Sequence, residues 1–163
     1  MGANDRFPEM FNPILLRAAA TLSSVAATDI VTLNDYHKVT FVLTAGTVTT
    51  GGNVSIRQMD SVGDTVSAES RMGIDYYWEK TAATGAAFTK TSADTISSYG
   101  GITIGASDDS HMWVFEVRGS QLTQGNDCVA LYFDSSAFNT TLVQVMAIGH
   151  PRYPQASPLN MLA

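Results

Sequence analysis

Few residues in this chain are of types that do chemistry, and they are scattered. His37, His111 and His150 stand dozens of positions apart, with no pair at helical or strand spacing, and Cys128 is the single cysteine. A structural zinc site needs clustered Cys and His, so this set builds none, and each histidine reads as a strand-end or turn residue. Cys128 precedes an apolar run, with nothing near it in sequence to lower its pKa; it reads as a buried small hydrophobe and not as a nucleophile. Asp108-Asp109, between Ser107 and Ser110, offers either hard-cation ligands or a solvated turn. The sequence lacks the calcium-loop pattern, the nucleophile elbow, the phosphate loop and the dinucleotide glycine fingerprint. Fifteen acidic residues leave a carboxylate pair for glycoside hydrolysis open, because such pairs come from separate strands and show no local spacing. Tyr76-Tyr77-Trp78 could stack on a sugar, although at strand spacing one face of that run belongs to a core. The expectation is a protein that is not an enzyme, with no catalytic residue, no cofactor and no metal site.

Composition bounds the partners. The chain has 163 residues, 45% hydrophobic and 15% charged, with a formal net charge of −6. One domain of this length buries a core large enough to stand without disulfides, and a single cysteine forms none within the chain. An acidic balance lacks the basic footprint that displaces phosphate counterions, so no direct nucleic-acid partner is expected. The first residues, MGANDRFPEMFNP, have neither a positive n-region nor an apolar h-region, and no stretch reaches the length of a membrane span. Synthesis in a cytoplasm and no membrane partner follow as expectations.

The elements that must position any site are strands. Thr and Ser number 33, interleaved with Val, Ile and aromatic residues between Gly, Asp and Asn clusters, which is the composition of strands joined by turns. In Lys38 to Thr44, Val39, Phe41 and Leu43 alternate with polar residues, and Val42 is a lone apolar residue on the other face. Val54 and Ile56 alternate with Ser55 and Arg57, and these two strands are expected to pair as a hairpin across the Gly46 to Gly52 turn. Ile74, Tyr76 and Trp78 lie on one face of a third strand. Shorter β pieces are read around Phe88, Ile96 and Ile102 to Ile104. Met112 to Arg118 is apolar on both faces and should be central. Val129 to Phe133 and Leu142 to Ile148 are strands of the same kind, and Ile30 to Leu33 is a weaker one. About eight strands at this spacing make an all-β, antiparallel β-sandwich or barrel.

The two ends depart from that pattern. Phe7, Met10, Phe11, Ile14 and Leu15 recur at spacings of three and four, with Asn12-Pro13 as cap and first turn, so a short helix is expected over Asn12 to Leu22. Pro151, Pro154 and Pro158, three of the five prolines, make the last residues extended. The chain thus divides into an N-terminal arm (1–24), a β-sandwich (25–150) and an extended C-terminal tail (151–163). The apolar residues of that tail should lie either on its own domain or on a neighbour.

From Tyr36-His37-Lys38-Val39-Thr40-Phe41-Val42-Leu43, through Val54 to Met59, the chain resembles small tailed-bacteriophage virion proteins of the capsid decoration, or head-stabilising cement, type. The likeness runs on through Trp113 to Arg118, Leu122, Val129 to Phe133 and Asn139 to Leu142. It ends in Ala147-Ile148-Gly149 and Pro151-Arg152-Tyr153-Pro154. The resemblance covers about Tyr36 to Pro154 in loose β patterns; the insert Asp60 to Arg71 and the N-terminal arm have no counterpart. It implies a jelly-roll-like sandwich on the capsid surface of a virion, with the major capsid protein as partner and a homo-oligomer, a trimer being favoured at a threefold lattice position. Phe7, Met10, Phe11, Ile14, Leu15, Tyr153, Leu159 and Met161 then become the candidate capsid or subunit interface. The competing readings are a tail or spike-base adaptor of the virion and a carbohydrate-binding sandwich that takes a host glycan on Tyr77, Trp78 or Trp113.

Overall fold

In the computed structural model the described residues are 11–22, 25–81, 86–92, 101–133, 138, 141–153 and 162. They form two antiparallel sheets that share one core. The first sheet contains β1 (Asn12–Leu22), β12 (Thr141–Pro151), β4 (Tyr36–Ala45), β10 (Met112–Arg118), β7 (Tyr76–Lys80) and β8 (Thr89–Ser92), hydrogen-bonded in that order. In the second, β11 (Cys128–Phe133) lies between β5 (Gly52–Met59) on one side and β2 (Ala26–Ala27) and β3 (Val31–Thr32) on the other. β5 also pairs with β6 (Ser70–Met72) and β9 (Gly101–Ile104).

Alternation decides which side chains meet. Val39, Phe41 and Leu43 of β4, Trp113, Phe115 and Val117 of β10, and Val143, Val145 and Ala147 of β12 point inward from the first sheet. They share one buried cluster with Val54, Ile56, Val129, Leu131 and Phe133 of the second. Phe41 and Phe115 stack with ring centroids 5.6 Å apart on paired strands. A smaller cluster forms under the 3-10 turn Val66–Ala68, where Met59, Val66, Cys128 and Ala130 are buried. β10 sits between β4 and β7, the interior position its two apolar faces require.

Two expectations are corrected. The helix expected over Asn12 to Leu22 is the strand β1, antiparallel to β12 from Asn12↔Gly149 to Leu22↔Thr141. Register shifts between Leu15 and Arg17 and between Arg17 and Ala20 interrupt its period of two, and a bulged strand spaces its apolar residues as a helix does. The hairpin expected between β4 and β5 does not form, because the two strands belong to different sheets. Both strands turn an apolar face to the same core, and that pattern is identical whether the faces are side by side or opposed.

Two glycines make one pairing possible. A Cβ on Gly51 would lie 1.7 Å from the Ile104 carbonyl oxygen, and one on Gly101 would lie 1.9 Å from that of Val54. The β5–β9 ladder, running from Gly52↔Ile104 to Ser55↔Gly101, thus closes at each end over a missing side chain. Among the described residues no helix is long and apolar enough to cross a membrane.

Candidate functional site: the outer face of the first sheet

The outward side chains of the first sheet line up in rows because its strands are paired in register. One row is apolar. Leu15 pairs with Met146, Met146 with Val42, Val42 with Val114 and Val114 with Trp78, so five strands place one apolar residue each on the same line. At about 4.8 Å between strands the row spans about 19 Å. Leu15 is 50% exposed and Phe88, which shares a shallow depression with Trp78 and Val114, is 46% exposed. The next row, Pro13, Ile148, Thr40 and Glu116, is mixed. Gln144, Thr44, Met112 and Lys80 flank the apolar row on its other side.

Beyond the mixed row lies a third, of basic residues. His150 pairs with Lys38 and Lys38 with Arg118. A hydrogen-bonded chain ties this row to Glu116: the Lys38 Nζ donates to Glu116 Oε1 at 2.6 Å, and the Thr40 hydroxyl, 3.5 Å from the same oxygen, lies 2.9 Å from His150 Nε2. With the hydroxyl donating to Glu116, the imidazole Nε2–H donates to the hydroxyl oxygen. Burial first, and the nearby Lys38 second, push the His150 pKa down to about 4 against the pull of Glu116. The His37 and Phe11 rings approach His150 edge-on, with centroids at 6.0 and 5.0 Å. His37, His150, Lys38 and Thr40 are thus one neighbourhood, and sequence spacing gave no sign of it because the strands come from opposite ends of the chain.

The other residues singled out in the sequence take structural places. Asp109 Oδ1 accepts the Val48 N–H at 2.6 Å and Asp108 Oδ2 accepts the Gly105 N–H at 2.7 Å, so both carboxylates fasten turns. His111 Nδ1 lies 3.2 Å from Glu79 Oε1 and 3.7 Å from Asp108 Oδ1. Cys128 is 2% exposed, and burial, then its hydrogen bond to Asp127, push the thiol up to about 12. No group of three or more potential metal ligands occurs among the described residues. Of the aromatic run, Tyr77 leans on the core, while Tyr76 and Trp78 meet edge to face outside it with centroids 4.8 Å apart. Trp113 is 1% exposed and offers no platform.

The expected interface residues divide. Leu15 belongs to the exposed apolar row, Ile14 packs half-buried against the core, Phe11 is half-buried beside His150, and Tyr153 is 73% exposed. Phe7, Met10, Leu159 and Met161 lie outside the described residues. The C-terminal Leu162 packs on the protein's own core. Sequence reasoning missed the row itself. Val42 stood out as a lone apolar residue on the outer face of its strand, but its alignment with Val114 and Met146 depends on a register that alternation does not encode.

No family model matches the chain, and no curated protein matches it. The crystal structure of the SPBc2 prophage-derived protein YomS superposes with a TM-score of 0.46 at 13% identity, covering 85% of this chain and 91% of that one. A likeness of that size says nothing about function.

Proposed function

We propose that the chain is a non-enzymatic structural protein of a phage virion, a jelly-roll-like sandwich that decorates or cements the capsid through oligomer and shell contacts. The observation that carries this reading is the in-register row Leu15, Met146, Val42, Val114 and Trp78 on the outer face of the first sheet. An apolar band with a mixed row on one side and a mainly polar row on the other fits the anatomy of a protein-binding surface, dry in the middle and wet at the rim. The sequence resemblance over Tyr36 to Pro154 names the class of partner, the major capsid protein. A homotrimer would make each weak contact effectively intramolecular once the first had formed.

The carbohydrate-binding reading draws less support from the same face. Among the described residues the depression at Trp78 is otherwise lined by Phe88 and Val114, with the Lys80 ammonium 5.9 Å from the Phe88 ring, a stacking surface with one cation beside it. The experiment is co-sedimentation of the purified protein with purified capsids lacking it, followed by cryo-electron microscopy of the pellet. Density at regular lattice positions, with the first sheet toward the shell, is the expected result. Density at the tail would replace this reading with the adaptor, and binding to host polysaccharide without capsid binding would replace it with the glycan module.

A further inference from the structure

We propose that the cleft between the start of β4, the end of β12 and the turn after β10 binds an oxyanion, a phosphate or a carboxylate. The cleft, about 480 Å³, is lined by His37, Lys38, Arg118, Gly119, Ser120 and Arg152. Lys38, Arg118 and Arg152 are three of only nine Lys and Arg residues in a chain of net charge −6.

The register makes the concentration costly. Lys38 and Arg118 stand directly opposite each other on adjacent strands, an arrangement that destabilises a sheet when the charges are alike. Among the described residues no carboxylate lines this cleft. The nearby acids Glu116 and Asp75 line the adjoining recess, which shares Arg118 and Ser120 with it. Glu116 is also spent on Lys38 at 2.6 Å. Of the three cations Lys38 is the one in an ion pair among the described residues; Arg118 also borders the recess of Glu116 and Asp75, and both guanidinium groups line a cleft that an anion would neutralise.

The guanidinium of Arg152 is held ready. Its Nε donates to the Tyr36 carbonyl at 3.4 Å, and its backbone N–H donates to the Asp35 carbonyl at 3.0 Å. Its Nη2 lies 3.7 Å from where a Cβ on residue 119 would be, an ordinary van der Waals distance, which places the guanidinium beside the turn after β10. Ser120 adds a hydroxyl donor. Arginine presents a planar fork matched to two oxygens of a phosphate or carboxylate. Two such forks, a lysine and a hydroxyl make a site for either anion, whether free in solution or carried on an acidic protein segment. The inference stands on this cleft alone and does not depend on a capsid role.

The test is isothermal titration of the full chain with inorganic phosphate at constant ionic strength, and separately with the peptide acetyl-Asp-Glu-Asp. Saturable binding of either probe is expected, with Arg118→Gln and Arg152→Gln each weakening it about tenfold or more, the loss of one charge-assisted hydrogen bond. Arg118→Lys and Arg152→Lys keep the charge, remove the fork and should weaken binding less; they also carry the test if a Gln variant fails to fold. Phosphate binding alone assigns a free anion, and peptide binding assigns an acidic segment. Saturation by neither probe, or folded variants that bind as the parent does, overturns the proposal.

Discussion

The hydroxyl oxygen of Thr40 lies 2.9 Å from Nε2 of His150, across two paired strands and 110 residues of chain. The imidazole is neutral there, its pKa lowered from 6.5 to about 4 by burial and by Lys38. In the unfolded chain His150 takes a proton near pH 6.5, whereas the folded protein resists it until about pH 4. The native state thus binds fewer protons in that window, so the His150 contribution is complete above pH 6.5, is lost as pH falls and is gone below pH 4. The contribution is about 2 kcal/mol after allowance for partial solvent contact. Urea unfolding at pH 7 and pH 4.5 should show a smaller loss of stability in His150→Gln than in the parent. An equal loss in both would assign the acid sensitivity to the carboxylates.

Cys128 should be inert while the protein is folded. With its thiol pushed up to about 12, the thiolate fraction at pH 8 is about one in ten thousand, and the side chain is covered besides. Ellman's reagent should leave the native protein unreacted over minutes and titrate one thiol in guanidinium chloride. Rapid native labelling would mean that the cluster of Met59, Val66 and Ala130 opens locally.

Gly101→Ala should cost about 1–3 kcal/mol, since its Cβ would collide with the Val54 carbonyl. Gly73→Ala is the matched control, with no atom within 4 Å of the added methyl, and should change stability by less than about 0.5 kcal/mol. Hydrogen exchange of the Gly101 variant should rise in β9 and stay slow in β10. Equal melting temperatures for the two variants would contradict the close approach.

Leu15→Lys with Phe88→Ser should leave the fold intact, because both residues are exposed and such substitutions usually move stability by less than about 0.5 kcal/mol. Under the proposed capsid role, occupancy measured by sedimentation should fall at least tenfold. Undiminished occupancy would move the shell contact off the apolar row.

Legibility in the sequence followed the regularity of each strand. β4 alternates, so its position and its inward residues Val39, Phe41 and Leu43 were readable from period; β10, β11 and β12 were readable as strands from apolar runs on both faces, which do not say which face turns inward. β1 was not, because its two register shifts leave Leu16 and Leu22 as its only buried residues and the Ala18 to Ala20 run between them resembles a helix. Pairing was unreadable for a different reason: Val39 and Val54 face one core from opposite sheets, and a pattern of burial carries no information about which neighbour supplies the hydrogen bonds. The candidate site suffered most. Leu15 was singled out, but the row it belongs to and the Lys38, Arg118 and Arg152 cleft exist only through registers between residues more than a hundred positions apart or on different strands.

The place of β12 between β1 and β4 sets the order of events at the ribosome. β4 is synthesised a hundred residues before the strand that will cover its open edge, and β5 likewise waits for β11. Until β10, β11 and β12 emerge, neither sheet has its middle, and the apolar faces of β4 and β5 have only each other to pack on. Folding should wait for the synthesis of β12 and be slow, on the order of milliseconds to seconds, as non-local pairing demands. A nascent chain stalled before Thr141 should be captured by chaperones or proteases and not accumulate as a smaller folded product.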